Sequence, residues 1–302
     1  MLNYSVAELR ERQFSSHALL RVGNFVHQFG LQSSTSSSMK VTMEEPASNE
    51  AFFNSRLMGA MFVYDKNDFF GTASVHVESE ALKKKSNELG KMGYGAMSRL
   101  VYRPLHDTGR LFQLGISGAY ETPRYNSEST LNHTSFDLGA NFPTRIAKVR
   151  AVNALIPDAK NLIKFTPEMI AGYGPVALEA QYYYLQVNRK KDFKNYKASG
   201  MYGILRGLLI GGNYRYSHTD CGIATPDSGS LECVFGYNYT DMSDTRSHIY
   251  GGRLNDVSFT VNYYINKYMI WRFRYSYTKI TDRVGFENQS LSAFQTRFQV
   301  IF

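Results

Sequence analysis

The sequence predicts an all-β protein, an antiparallel transmembrane β-barrel of about a dozen strands, on three observations. Aromatic and polar residues alternate strictly along many segments, as in Trp271-Arg-Phe-Arg-Tyr-Ser-Tyr-Thr-Lys-Ile280. Short turn-like joints between these segments largely alternate with long polar ones, the asymmetry of an outer-membrane barrel with tight turns on one side and loops on the other. The chain also ends on an alternating segment, Phe294 to Phe302, whose last residue is aromatic.

Composition fits that class and removes others. The 302 residues include 22 Tyr and 20 Phe, and aromatics reach 14%, which favours strands. Mean hydropathy is −0.34, and no stretch of about 18 apolar residues could cross a bilayer as a helix. A barrel is compatible with that value, because only one face of each strand meets lipid. The net charge of +8 points to acidic partners without choosing among them. Zinc-finger spacing and a basic helix with heptads are both missing from the sequence, so nucleic acid is not expected. The runs Lys83-Lys84-Lys85 and Arg189-Lys190-Lys191 read as solvated loop tips.

Strand period governs the chain after residue 50. In order, the expected strands are Arg56 to Tyr64, Phe69 to Glu78, Ala96 to Arg103, Phe112 to Glu121, Leu162 to Tyr173, Val176 to Val187, Tyr202 to Leu209, Leu231 to Thr240, Val257 to Ile265, Trp271 to Ile280 and the terminal segment. Several reach the ten or so residues that a tilted membrane strand requires. Residues 1–50 read as irregular or loop-like and 51–302 as the strands of one barrel domain. The run Ser33 to Ser38, broken only by Thr35, reads as a loop. The tight joints are Asp65 to Asp68, His106 to Gly109, Gly172 to Pro175 and Asn266-Lys267. The long ones are Ser79 to Lys91, Glu121 to about Ala151, Asn188 to Lys197, Asp241 to Asp256 and Thr281 to Ser290.

Candidate chemistry lies on the inward faces. With the aromatics of the last strands toward lipid, Arg272, Arg274 and Arg297 point into the lumen and are expected to be pore-lining residues on neighbouring strands. Rows of arginine select anions, and a guanidinium offers phosphate two parallel hydrogen bonds. The alternative is that Arg272 or Arg274 pairs with Glu232 or Asp256. The seven histidines are scattered without metal-ligand spacing, and no nucleophile elbow or phosphate-cradling glycine loop is present. Ser217 and His218, within Ser217-His-Thr-Asp220, are neighbours on opposite faces of a strand, so an enzyme, metal site or cofactor is not expected. Cys221 and Cys233 flank the turn-like Thr225-Pro-Asp-Ser-Gly229 symmetrically, which leaves both a cross-hairpin disulfide and two free thiols open.

Several stretches resemble the phosphate-selective porin O and P family in its Bacteroidetes-type versions. They are Leu100-Val-Tyr-Arg-Pro-Leu105, Gly211-Gly-Asn-Tyr-Arg-Tyr216, Tyr237-Asn-Tyr-Thr-Asp241 and above all Gly251-Gly-Arg-Leu-Asn-Asp-Val-Ser-Phe-Thr-Val-Asn-Tyr-Tyr-Ile-Asn-Lys267. The resemblance implies an outer-membrane diffusion porin of 16 to 18 strands that assembles as a trimer and passes anions, phosphate or polyphosphate among them. It places the chain in the bacterial outer membrane, in contact with outer-membrane lipid. Tyr4-Ser-Val-Ala-Glu-Leu9 is similar to a segment well inside the family's chains, and no signal peptide is visible at Met1. Either the family's N-terminal part is missing here or the chain closes as a smaller barrel. The competing expectation for function is a structural or adhesive barrel that presents long loops and does not conduct.

Overall fold

The structure, a computed structural model, describes residues 10–15, 17–35, 40–53, 56–78, 92–144 and 148–300. The strands are β1 (Arg10–Ser15), β2 (Ala18–Val26), β3 (Arg56–Lys66), β4 (Phe69–Val77), β5 (Tyr94–Asp107), β6 (Arg110–Glu121), β7 (Phe136–Asn141), β8 (Arg150–Ile156), β9 (Ala159–Tyr173), β10 (Val176–Arg189), β11 (Tyr196–Ile210), β12 (Tyr216–Ser217), β13 (Gly222–Ile223), β14 (Leu231–Asp244), β15 (Ile249–Asn266), β16 (Met269–Arg283) and β17 (Gln289–Val300). Two short helices, α1 (Leu31–Ser34) and α2 (Ala47–Phe52), lie between β2 and β3. Thirteen strands form one antiparallel sheet in the order β1-β2-β3-β4-β5-β6-β9-β10-β11-β14-β15-β16-β17, and β7-β8 and β12-β13 are separate hairpins.

The sheet is inside-out relative to a water-soluble protein, as a barrel wall in lipid must be. Val75 and Leu100 are each 63% exposed, while Arg99, Arg103 and Arg272 are among the largest fully buried side chains. Strand alternation produces this directly. On β15, Val257, Phe259 and Tyr263 face out while Ser258, Thr260, Asn262 and Tyr264 are buried. On β10, Tyr182 is outward and Glu179, Gln181 and Tyr183 are inward.

The first 50 residues depart from their expected irregularity. β1 and β2 belong to the sheet, and β2 pairs with β3 from Ala18↔Tyr64 to Val26↔Arg56. The consecutive Leu19-Leu20-Arg21 masks the alternation that would have revealed the strand. The joints expected at Asp241 to Asp256 and at Thr281 to Ser290 are shorter than that. β14 and β15 leave only residues 245–248 between them, and β16 and β17 only 284–288. Polar residues at strand ends looked like loop, yet β15 has 18 residues, more than the ten or so that lipid requires, and it projects into the aqueous zone.

Tight turns follow β3, β5, β9 and β15 at one end of the sheet, and the strand ends Val26 and Arg56, Val77 and Tyr94, Glu121 and Ala159, and Arg189 and Tyr196, which bound the longer connections, lie at the other. One connection breaks the pattern, since residues 211–230 form a long excursion at the tight-turn end. There Gly109 N donates to Tyr214 O (2.8 Å) and Tyr214 N to Gly174 O (3.0 Å), which ties the excursion to two tight turns. The cysteines therefore do not face each other. Cys221 is buried on this excursion and Cys233 lies on the wall opposite Gly207 and Val261, and both are free thiols. Migration in denaturing electrophoresis is expected to be the same with and without reductant; a shift on reduction would contradict this placement. Lys83 to Lys85, Tyr4 to Leu9, Ser36 to Ser38 and Phe302 lie outside the described residues.

Candidate permeation path

Three inserts occupy the inward side of the sheet. Residues 27–35 and 40–53, with α1 and α2, come from the long-loop end, as does the hairpin β7-β8; residues 211–230 come from the tight-turn end. Each is fastened by wall side chains that the strand period points inward.

The first fastening centres on Arg99 of β5. Its Nη2 and Nε bond both carboxylate oxygens of Glu168 on β9 (2.7 and 3.1 Å), and its Nη1 donates to Gln28 Oε1 at the base of the first insert (2.7 Å). Gln113 Nε2 donates to Glu168 Oε1 (3.0 Å), and Tyr216 of the third insert donates its hydroxyl to Gln113 Oε1 (2.5 Å). A bidentate guanidinium–carboxylate pair is a strong, directional buried contact. Nearby, Arg103 pairs with Asp65 and its guanidinium lies 5.5 Å from the Tyr216 ring centroid.

The second fastening centres on Glu232 of β14, which accepts four hydrogen bonds. The donors are Arg206 Nε (2.8 Å), Tyr214 Oη (2.7 Å), Tyr264 Oη (2.7 Å) and Asn262 Nδ2 (3.0 Å). Burial pushes the Tyr214 phenol well above its ordinary range, against the opposing influence of the Arg206 cation, so it stays a neutral donor. Tyr214 thereby holds the third insert to the wall.

The third fastening contains the arginines singled out from the sequence. Arg272 and Arg297 are direct cross-strand partners, and Arg274 lies opposite Gln295. Strand reasoning thus places them together, but not as an open row. Arg272 Nη1 donates to Lys40 O (2.8 Å), and Arg297 donates to Met43 O (3.1 Å) and to Glu44 Oε1 (3.0 Å). Arg274 bonds Pro143 O (3.0 Å) near the second insert, Gln295 Oε1 (2.9 Å) and Asp256 Oδ2 (3.2 Å). The pairing with Asp256 is the one weighed from the sequence; Glu232 instead serves Arg206. What strand period could not supply is the set of insert carbonyls that receive these guanidiniums.

Among the described residues, two spaces lie between inserts and wall. A vestibule of about 460 Å³ at the long-loop end is lined by Glu50, Glu121, Arg124, Asp137, Arg150 and Lys164 with Phe52 and Phe136. Lys164 Nζ bonds Glu121 Oε1 (2.7 Å) and Phe52 O (2.8 Å) there. A smaller gap of about 110 Å³ lies between the first and third inserts, lined in part by Gln32, Lys40, Glu179, Arg206, Asp220 and Arg272. No group of three or more His, Cys, Asp or Glu side chains suited to a metal occurs among the described residues. Ser217 Oγ donates to Asp220 Oδ2 (2.9 Å), whereas the His218 ring stands 5.2 Å from that of His106.

An antiparallel wall with an apolar outer face, a polar inner face and inserts narrowing its interior defines a porin-type barrel of the bacterial outer membrane. The model of the family "Phosphate-selective porin O and P" matches residues 11–302, and the chain belongs to that family. Among solved structures it is similar to outer-membrane expressed OmpT of Vibrio cholerae, with TM-score 0.54 and 10% identity over 94% of this chain and 76% of that one. It is also similar to in-vitro folded OmpT, an outer membrane protein of Vibrio cholerae, with TM-score 0.51 and 10% identity over 96% of this chain and 85% of that one. At that identity the likeness concerns the fold. A search of curated proteins returned no match.

Proposed function

We propose that this porin is an anion-biased diffusion channel that passes small anions, phosphate or polyphosphate among them, and that Arg272, Arg274 and Arg297 shape its path. The observation that carries the reading is the gap of about 110 Å³, whose lining brings Lys40, Arg206 and Arg272 together with Glu179 and Asp220. Glu179 is partly screened by Gln32 Nε2, which donates to it at 2.8 Å. Arg206 Nη2 is buried without a hydrogen-bond partner among the described residues, and the guanidinium lies 5.0 Å from the Tyr214 ring centroid. Arg206 is also paired with Glu232 at 2.8 Å, so the gap offers anions guanidinium and ammonium donors at a narrow point rather than a net charge excess, and such donors select and steer anions. The fixed Arg272 and Arg297 pair stands beside the gap and keeps the first insert in position. Assembly as a homotrimer belongs to the same proposal, following the family's pattern, and a monomeric mass in mild detergent would count against it.

The test is single-channel recording in a planar bilayer under a salt gradient. An anionic reversal potential is expected, and the triple variant R272A/R274A/R297A should move it toward zero and lower anion over cation permeability. An unchanged potential in the variant removes these arginines from the selectivity element. Absence of conductance under all conditions favours a structural or adhesive barrel.

A further inference from the structure

The lysines of the basic run at the β10-β11 connection are not used by the permeation path: Lys191, Lys194 and Lys197 are exposed, while Arg189 is buried and donates to Pro157 O at 2.9 Å. Between 189 and 197 the sequence Arg-Lys-Lys-Asp-Phe-Lys-Asn-Tyr-Lys carries five cations and one acid. The connection is only residues 190–195, and it is held down to the strand ends. Arg189 N donates to Asn195 Oδ1 (3.1 Å), Lys190 N to Asp158 O (2.8 Å) and Phe193 N to Lys190 O (3.0 Å). Lys190 also pairs with Asp158 at 3.2 Å. Lys160, Lys191, Lys194 and Lys197 are exposed, and none of the four forms a side-chain ion pair among the described residues.

Directly below these lysines the outward face of the wall carries a ladder of amides. Gln186 Nε2 donates to Asn188 Oδ1 (2.8 Å), Asn188 Nδ2 to Asn161 Oδ1 (2.7 Å) and Asn195 Nδ2 to Asn188 Oδ1 (3.1 Å). One pair lower stand Phe165 and Tyr184, whose ring centroids are 5.1 Å apart. Moving away from the bilayer, this outward surface is therefore aromatic, then amide, then ammonium. Gln186 and Lys197 are cross-strand neighbours, and they alternate with the buried Leu185, Val187, Tyr196 and Ala198, so they face the lipid side. The corresponding rim of β14-β16 differs, since Arg253 there is neutralised by Asp241 (3.0 Å) and Asp282 (2.9 Å).

We propose that the outward surface formed by Lys160, Asn161, Asn188, Lys191, Lys194 and Lys197 binds the phosphorylated sugar headgroup of an outer-leaflet glycolipid. Charge complementarity selects the occupant: ammonium groups without carboxylate partners meet phosphates, and each is worth about fivefold in affinity near an anionic surface. The amide ladder presents donors and acceptors at the depth of the sugar hydroxyls, and the aromatic pair beneath marks the boundary with the acyl chains. The half-exposed Phe193 at the tip, with the Arg189 guanidinium 4.6 Å from its ring centroid, adds an apolar contact beside the cations.

The probe is lipid A, a bisphosphorylated acylated glucosamine disaccharide, titrated into the full chain folded in neutral detergent and followed by native mass spectrometry. The wild type is expected to retain lipid A, and K191Q/K194Q/K197Q to bind it about a hundredfold more weakly at about fivefold per lysine. R110Q/K267Q, at the opposite end of the wall, should bind as the wild type does, and chemically dephosphorylated lipid A should be retained poorly by all three proteins. Equal retention by the lysine variant, equal loss in the opposite-end variant, or equal binding of the dephosphorylated lipid overturns the proposal. Displacement by inorganic phosphate at the lipid's own concentration would also overturn it, because the surface would then be a free-anion site.

Discussion

Replacing Glu232 by alanine is expected to destabilise the barrel by about 3–5 kcal/mol, the usual consequence of removing one partner from a buried ion pair. Four donors converge on this carboxylate, from β11, the third insert and β15. Its loss leaves the buried Arg206 without its carboxylate and the Tyr214 and Tyr264 hydroxyls unpaired, while Asn262 Nδ2 keeps Val41 O at 3.0 Å. Urea unfolding in micelles, followed by heat-modifiable migration, measures the change. Glu232→Gln keeps one acceptor oxygen and should cost less, and it supplies the check on packing. Tyr214 is also a tie of the third insert, so recordings of the alanine variant should show larger and noisier conductance. Wild-type stability in E232A would mean that the four contacts are not formed.

Placing valine at Gly251 should dislodge the β7-β8 hairpin from the wall. A side chain there would put its Cβ 2.7 Å from Met242 O and 2.8 Å from Ala154 Cβ, and neither neighbour is a flexible chain end. The hairpin presents Val152 and Ala154 to the glycine pair of β15, and both are buried. The next residue, Gly252, has φ +96°, which also disfavours a side chain. Overpacking of this kind costs about 1–3 kcal/mol, set against the bonds that Arg274 and Arg283 make to Pro143 O and Ala151 O of this insert. G251V is expected to fold, to conduct more than the wild type and to become cleavable by external protease within residues 136–156. Unaltered conductance with an intact hairpin would show that the glycine pair is not its seat. The glycine pair opens the stretch Gly251 to Lys267 that carried the family resemblance most strongly, and its physical meaning is this close approach of insert and wall.

The wall was legible because strand period is a local property. Alternation in Val257 to Ile265 and Trp271 to Ile280 fixed which side chains face lipid, and the register places Arg272, Arg274 and Arg297 on one inward patch as expected. Strand β2 escaped because adjacent apolar and charged residues blur its alternation. The excursion of residues 211–230 escaped because turn-like residues indicate that a chain bends without indicating the direction in which it then runs.

The sequence by itself determined an outer-membrane barrel, its lipid-facing aromatics and its inward arginines, since each of those follows from contacts between residues two apart on a strand. Only the tertiary structure decided what the arginines hold. Arg272 reaches Lys40 O across 232 residues and Arg297 reaches Met43 O across 254. The inserts that accept these bonds have no period of their own, and their places in the lumen are set by wall side chains that are distant in the chain and adjacent only after the sheet has formed.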